Sequence, residues 1–135
     1  MSVTANKLFN FVDGAFERML KMVFSRPYPL QPIFVERAIE KAIAANTKVF
    51  KDGVLPPNRI SVLLNSDDYS DFKKIEGIYR SKLENTASEF IENEFKEQAI
   101  GTAKPVIFVD AAPDVVRGEV RVNAEYHEAS YGRTR

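Results

Sequence analysis

Between Arg59 and Phe72 the hydrophobic period changes once, and that change constrains the fold more than any other feature of the chain. In RISVLLN, Ile60, Val62 and Leu64 alternate with other residues, the two-residue period of a strand with one buried face. From Asp67 to about Gln98, Phe72, Ile75, Tyr79, Leu83, Ala87, Phe90, Ile91 and Phe95 recur at helical spacing. A second β-rich run, KPVIFVD (Lys104 to Asp110), follows Gly101. Strand, long helix and strand in one sheet demand a right-handed crossover and leave the two strands parallel.

The junction itself carries an acidic pair, Asp67 and Asp68, that is either catalytic or architectural. Ser66 reads as the N-cap, which sets both carboxylates in the first turn beside unsatisfied amides and the positive end of the helix dipole. No histidine and no second acidic motif converges on them, so the architectural reading is preferred, and replacing both by Asn is expected to cost on the order of 1 kcal/mol. Gly77 is the weak point of the long helix, where a bend or a division into two helices would fall.

Upstream, Leu8, Phe11, Val12, Ala15, Phe16, Met19, Met22 and Val23 make Lys7 to Phe24 a strongly amphipathic helix. Pro27, Pro29 and Pro32 break it into a short extended connector. Pro32 then suits the first turn of a second helix, whose stripe of Phe34, Val35, Ala38, Ile39, Ala42 and Ile43 continues to about Val49. Asp52-Gly53 and Pro56-Pro57 punctuate the connection to the strand. KPVIFVD is apolar on both faces, as a central or covered strand would be, and Gly118 to Ala124 alternates with Val120, Val122 and Ala124 inward. These last two strands are expected to form an antiparallel hairpin.

The expected fold is therefore α+β in two layers, in the order α-α-β-α-β-β, with helices on one face of a three-stranded mixed sheet. In size and topology it is BON-like or KH-like. One domain spans 7–124, and 125–135 reads as a flexible tail or linker.

The 19 Lys and Arg against 19 Asp and Glu give no global attraction to phosphate backbones or anionic lipid. With Cys 0 and His 1, thiolate nucleophiles and the usual zinc ligand sets are excluded. His127, flanked by Glu125 and Glu128, reads as a solvated tail residue rather than a base. The six glycines form neither G-x-G-x-x-G nor a Walker pattern, and no GXXG of the KH type occurs. No cofactor, metal or catalytic residue is expected. Lys73, Lys74, Arg80 and Lys82 read as a solvated helix face, with Arg80 marking the side on which nucleic acid would bind. The first helix is apolar over roughly half its wheel. Phe11, Val12, Phe16, Met19 and Val23 are assigned to the core, and Phe9 and Phe24 to a partner surface. With no leader peptide and no run of apolar residues long enough to span a bilayer, the default is a cytoplasmic protein.

The stretches FVDGAFERMLKMVF, LQPIFVERAIEKAI, LPPNRISVLLNSDDYSDF, PVIFVD and RGEVRVNA resemble the N-terminal domain family of FhaA-type bacterial proteins that carry forkhead-associated (FHA) domains. The most specific piece is Pro57, Asn58, Val62, Leu64, Asp68 and Tyr69, and the resemblance runs from about Phe11 to Ala124. It implies a non-catalytic regulatory and protein-interaction domain in serine/threonine-kinase signalling, linked to cell-wall synthesis and division, with protein partners and no small-molecule substrate. Relatives often carry a hydroxyl residue before the hairpin glycine; here that residue is Arg117, so no phosphorylation site is transferred. The alternative is nucleic-acid or lipid-surface binding by a small α/β module.

Overall fold

The computed structural model describes residues 29–101 and 104–128. The amphipathic segment Lys7 to Phe24, and with it Phe9, Phe16 and Phe24, lies outside them.

Helix α1 (Pro32–Ala45) starts on its proline and buries Val35, Ile39 and Ile43. It stops short of Val49, because Asn46 and Thr47 turn their side chains back onto the last carbonyls: Asn46 Nδ2 donates to Ala42 O at 2.7 Å and Thr47 Oγ1 to Ile43 O at 2.7 Å. The residues beyond form a two-stranded antiparallel ribbon, β1 (Lys48–Phe50) and β2 (Gly53–Leu55), where the pattern suggested helix and connection. Gly53 is required there, since a Cβ would sit 2.7 Å from the Gln98 carbonyl oxygen and 2.8 Å from the Ile100 side chain.

Strand β3 (Arg59–Leu64) is the centre of a separate three-stranded sheet. It pairs in parallel with β4 (Val106–Ala111), Arg59 opposite Val106, and antiparallel with β5 (Val120–Glu125), Arg59 opposite Glu125. Two expectations are corrected here. β4 and β5 do not form a hairpin; the connection between them passes the end of β3 and sets them on opposite sides of it, in the order β4-β3-β5. β4 is accordingly an edge strand with one open face, although its residues are apolar on both.

The long helix is two helices, α2 (Ser66–Lys74) and α3 (Glu76–Phe95), the latter followed by a 3-10 turn (Lys96–Gln98). The break falls at Ile75, φ −129° and ψ 35°, rather than at Gly77, which lies just inside α3 in open space. Lys73 and Arg80 brace it through Glu76, at 2.8 and 3.0 Å. Across the break the Phe72 and Tyr79 rings meet edge-on, centroids 5.0 Å apart.

Val35, Ile39 and Ile43 of α1 and Phe72, Leu83 and Ala87 of α2 and α3 close over Ile60, Val62, Leu64, Ile107 and Val109 of the sheet. The result is a two-layer α+β fold with its core between the helices and one face of the mixed sheet.

Candidate functional site

The acidic pair divides at once. Asp67 is exposed, whereas Asp68 is 4% exposed and binds three distant segments together. Its Oδ1 accepts the Leu30 amide at 3.1 Å, from the chain entering α1, and its Oδ2 accepts the Gly118 amide at 2.8 Å, from the connection entering β5. Gly118 has φ 88°, a conformation that glycine adopts without steric cost. Arg117 lies across the top, its guanidinium 3.3, 3.5 and 3.4 Å from Asp67, Asp68 and Asp71. The architectural reading therefore holds in a different form: Asp68 is a tertiary clasp rather than a dipole partner. The N-cap is Asn65, not Ser66; its Oδ1 accepts the Asp67 amide at 2.8 Å while its Nδ2 donates to Val115 O at 3.1 Å.

Tyr79 packs against this clasp. Burial, with the Asp68 carboxylate second, pushes its phenol up to about 12, so it stays neutral. His127 stands at the other end of the sheet, half exposed, with Nε2 2.9 Å from Glu125 and its backbone held on both sides by the Asn58 amide group. Among the described residues its side-chain partner is the Glu125 carboxylate, and no hydroxyl is bonded to its ring. Among the described residues no three histidine, cysteine or acidic side chains gather as metal ligands.

A cleft of about 550 Å3 lies between the start of β3 and the end of α3, lined by Pro57, Ser88, Ile91, Lys96 and Tyr126 among others. The Ser88 hydroxyl is buried there without a hydrogen-bond partner. Glu92, Lys96 and Lys104 also line the cleft, but none of them is hydrogen-bonded to the Ser88 hydroxyl.

Arg80, expected to mark a ligand-facing side of the long helix, is turned inward on the structure. It donates to the Ile107 carbonyl of edge strand β4, pairs with Glu76 at 3.0 Å and lies 5.7 Å above the Phe72 ring. One outward carbonyl of the edge is thereby covered, which hinders another strand from adding there.

The open face of the sheet remains. Register places its residues in three rows across β4, β3 and β5: Val106, Arg59 and Glu125; Phe108, Ser61 and Asn123; Asp110, Leu63 and Arg121. Val106 is 49% and Phe108 41% exposed, with Leu63 half-buried beside them. The charged members are two of each sign, and Arg59 stacks over the Phe108 ring at 4.9 Å. Sequence patterning missed this surface because it assigned β4 to an interior position; the only signal was that both faces of β4 cannot be covered in a two-layer fold.

The sequence profile described as "FhaA, N-terminal domain" matches residues 6–123. A solved structure titled "Rv0020c_Nter structure" is similar at 15% identity with a TM-score of 0.59, over 84% of this chain and 80% of that one, a likeness of fold. No curated protein matches.

Proposed function

We propose that this chain, which belongs to the FhaA N-terminal domain family, recognises a protein partner through the open face of its three-stranded sheet. The family is a non-catalytic regulatory and interaction module of forkhead-associated signalling proteins in the serine/threonine-kinase pathway. The finer reading is that the partner belongs to the cell-wall machinery which such pathways regulate, and that the domain works in the cytoplasm, where the kinases find ATP.

The observation that carries the site is the exposure of Phe108 and Val106 on a strand whose other face is closed. An aromatic and an aliphatic anchor on a rigid sheet, ringed by charges of both signs, match a folded protein surface with an apolar centre and a mixed polar rim. The same face suits nucleic acid poorly. Sheets that read single-stranded RNA offer stacked aromatics in a basic surround. This one has a single aromatic, already covered by Arg59, and no net charge from Arg59, Arg121, Asp110 and Glu125. BON-like and KH-like comparisons stay at the level of size and layering, and the absence of a GXXG loop weighs against the second.

The test is an NMR titration of the isotope-labelled chain with purified proteins of the kinase pathway. Shifts at Ser61, Leu63, Phe108 and Asn123, abolished by Phe108→Ser, support the reading. Saturable shifts along Lys73 to Lys82 on adding single-stranded RNA, with a steep salt dependence, would replace it with the nucleic-acid alternative.

A further inference from the structure

The β1–β2 ribbon is a sheet of its own, and its tip is apolar on both faces. Val49 is 80% and Phe50 50% exposed, and successive residues of a strand point to opposite sides. Directly opposite residues of an antiparallel pair share a face. Phe50 lies opposite Gly53, and the exposed Ile100 fills the place of the side chain that Gly53 lacks, since a Cβ there would be 2.8 Å from Ile100 Cγ1. One face therefore shows Phe50 beside Ile100, and the other shows Val49. Lys48 and Lys51 bracket the apolar pair, both exposed and neither in an ion pair among the described residues. Asp52 is the acid of the turn, so the tip sets two positive charges against one.

We propose that this ribbon is a membrane-surface anchor, which seats Val49, Phe50 and Ile100 in the interfacial region of an anionic bilayer with Lys48 and Lys51 on the lipid phosphates. Two features choose lipid as the occupant. A protein surface or a second copy covers one face of a ribbon and leaves the other wet, whereas lipid surrounds both. A further strand would pair along the outer edge of β1, where a lysine at each end hinders it.

The dimensions agree with a shallow seat. Strands of three residues rise about 10 Å, and apolar groups of interfacial proteins reach about 5–10 Å into the headgroup and acyl boundary. The unpaired backbone groups of β1 hold the ribbon at that depth, because in the hydrocarbon they would lose their hydrogen bonds to water. With 19 basic and 19 acidic residues the chain as a whole is not drawn to lipid phosphate, so the attraction is local to the tip and weakens with salt. The ribbon and the open face of the three-stranded sheet are different sheets, so this proposal and the protein-partner reading stand or fall separately.

The natural chain has Trp 0, so Phe50→Trp in the full chain puts a single indole at the tip. Its emission is expected to move to shorter wavelength with vesicles of equal parts phosphatidylglycerol and phosphatidylcholine, and to stay unchanged with phosphatidylcholine alone. Phe108→Trp, on the open sheet face, should stay unchanged with both. Lys48→Gln and Lys51→Gln should each weaken binding about five-fold. The natural chain should co-sediment with the anionic vesicles, and Val49→Ser combined with Phe50→Ser, both outside the core, should release it with an unchanged circular dichroism spectrum. An unmoved Phe50→Trp emission with anionic vesicles, an equal shift with phosphatidylcholine alone, or a shift of Phe108→Trp in its place would overturn the proposal. So would retained sedimentation of the double variant, which puts the lipid contact elsewhere, or a shift that grows with protein concentration without vesicles, which gives the ribbon to a second copy.

Discussion

Strand β4 reads Val106, Ile107, Phe108, Val109, and its alternate residues lead opposite lives. Ile107 and Val109 are 1% and 6% exposed beneath the helices, while Val106 and Phe108 are 49% and 41% exposed on the far side. Four consecutive apolar residues thus divide into two that hold the fold and two that the fold does not need. The covered face can be altered only at the cost of stability; the open face can be altered with little effect on stability, and its apolar character points to recognition instead. One aromatic on each side makes the comparison testable: Phe72, 1% exposed in the core, and Phe108.

The largest effect should come from the covered side. Phe72→Ala removes a ring that packs on Tyr79 and Arg80, and should cost about 3–5 kcal/mol in urea denaturation, a large fraction of the stability of a domain this size. A loss below about 1 kcal/mol would mean that the helices do not depend on this contact.

Next comes the clasp. Asp68→Asn keeps the shape but halves the acceptor capacity that serves Leu30 and Gly118, and should cost about 1–3 kcal/mol, whereas Asp67→Asn should stay within about 0.5 kcal/mol. Equal small losses at both positions would return the pair to the simple helix-start role that sequence alone suggests.

A smaller effect carries a pH sign. Burial, then the neighbouring Glu36, raises the Glu40 carboxyl above its usual value of 4.5. The folded state thus binds the proton more tightly than the unfolded chain, and stability falls as pH rises from that value through the raised one. Glu40→Gln should therefore match the natural chain at pH 3–4 and exceed it in thermal stability at pH 7. A variant less stable at pH 7 would show that the carboxylate is paired rather than penalised.

How much of this could be read from sequence depends on the range of the interaction. β3, β5 and the core faces of α1 and α3 were legible because burial repeats at a local period, as at Ile60, Val62 and Leu64. Strand order was not, because nothing in Ala112 to Glu119 says on which side of β3 the chain will return. The β1–β2 ribbon has strands of three residues, too short to show a period. Asn65 and Ser66 are both good caps, and only the second bond of Asn65, to Val115, separates them. The role of Asp68 depends on amides 38 and 50 residues away, so a local pattern could identify it as architectural without finding what it joins.

The smallest stability effect is the one most diagnostic of the account. Phe108→Ser should change the free energy of unfolding by less than about 1 kcal/mol, since the ring is 41% exposed, stacked by Arg59, and not part of the core. The same variant should lose binding to a kinase-pathway protein that shifts Ser61 and Asn123 in the natural chain, while Asp67→Asn retains it. Stability and binding both unchanged in Phe108→Ser would contradict the claim that the open face of the sheet is where the domain meets its partner.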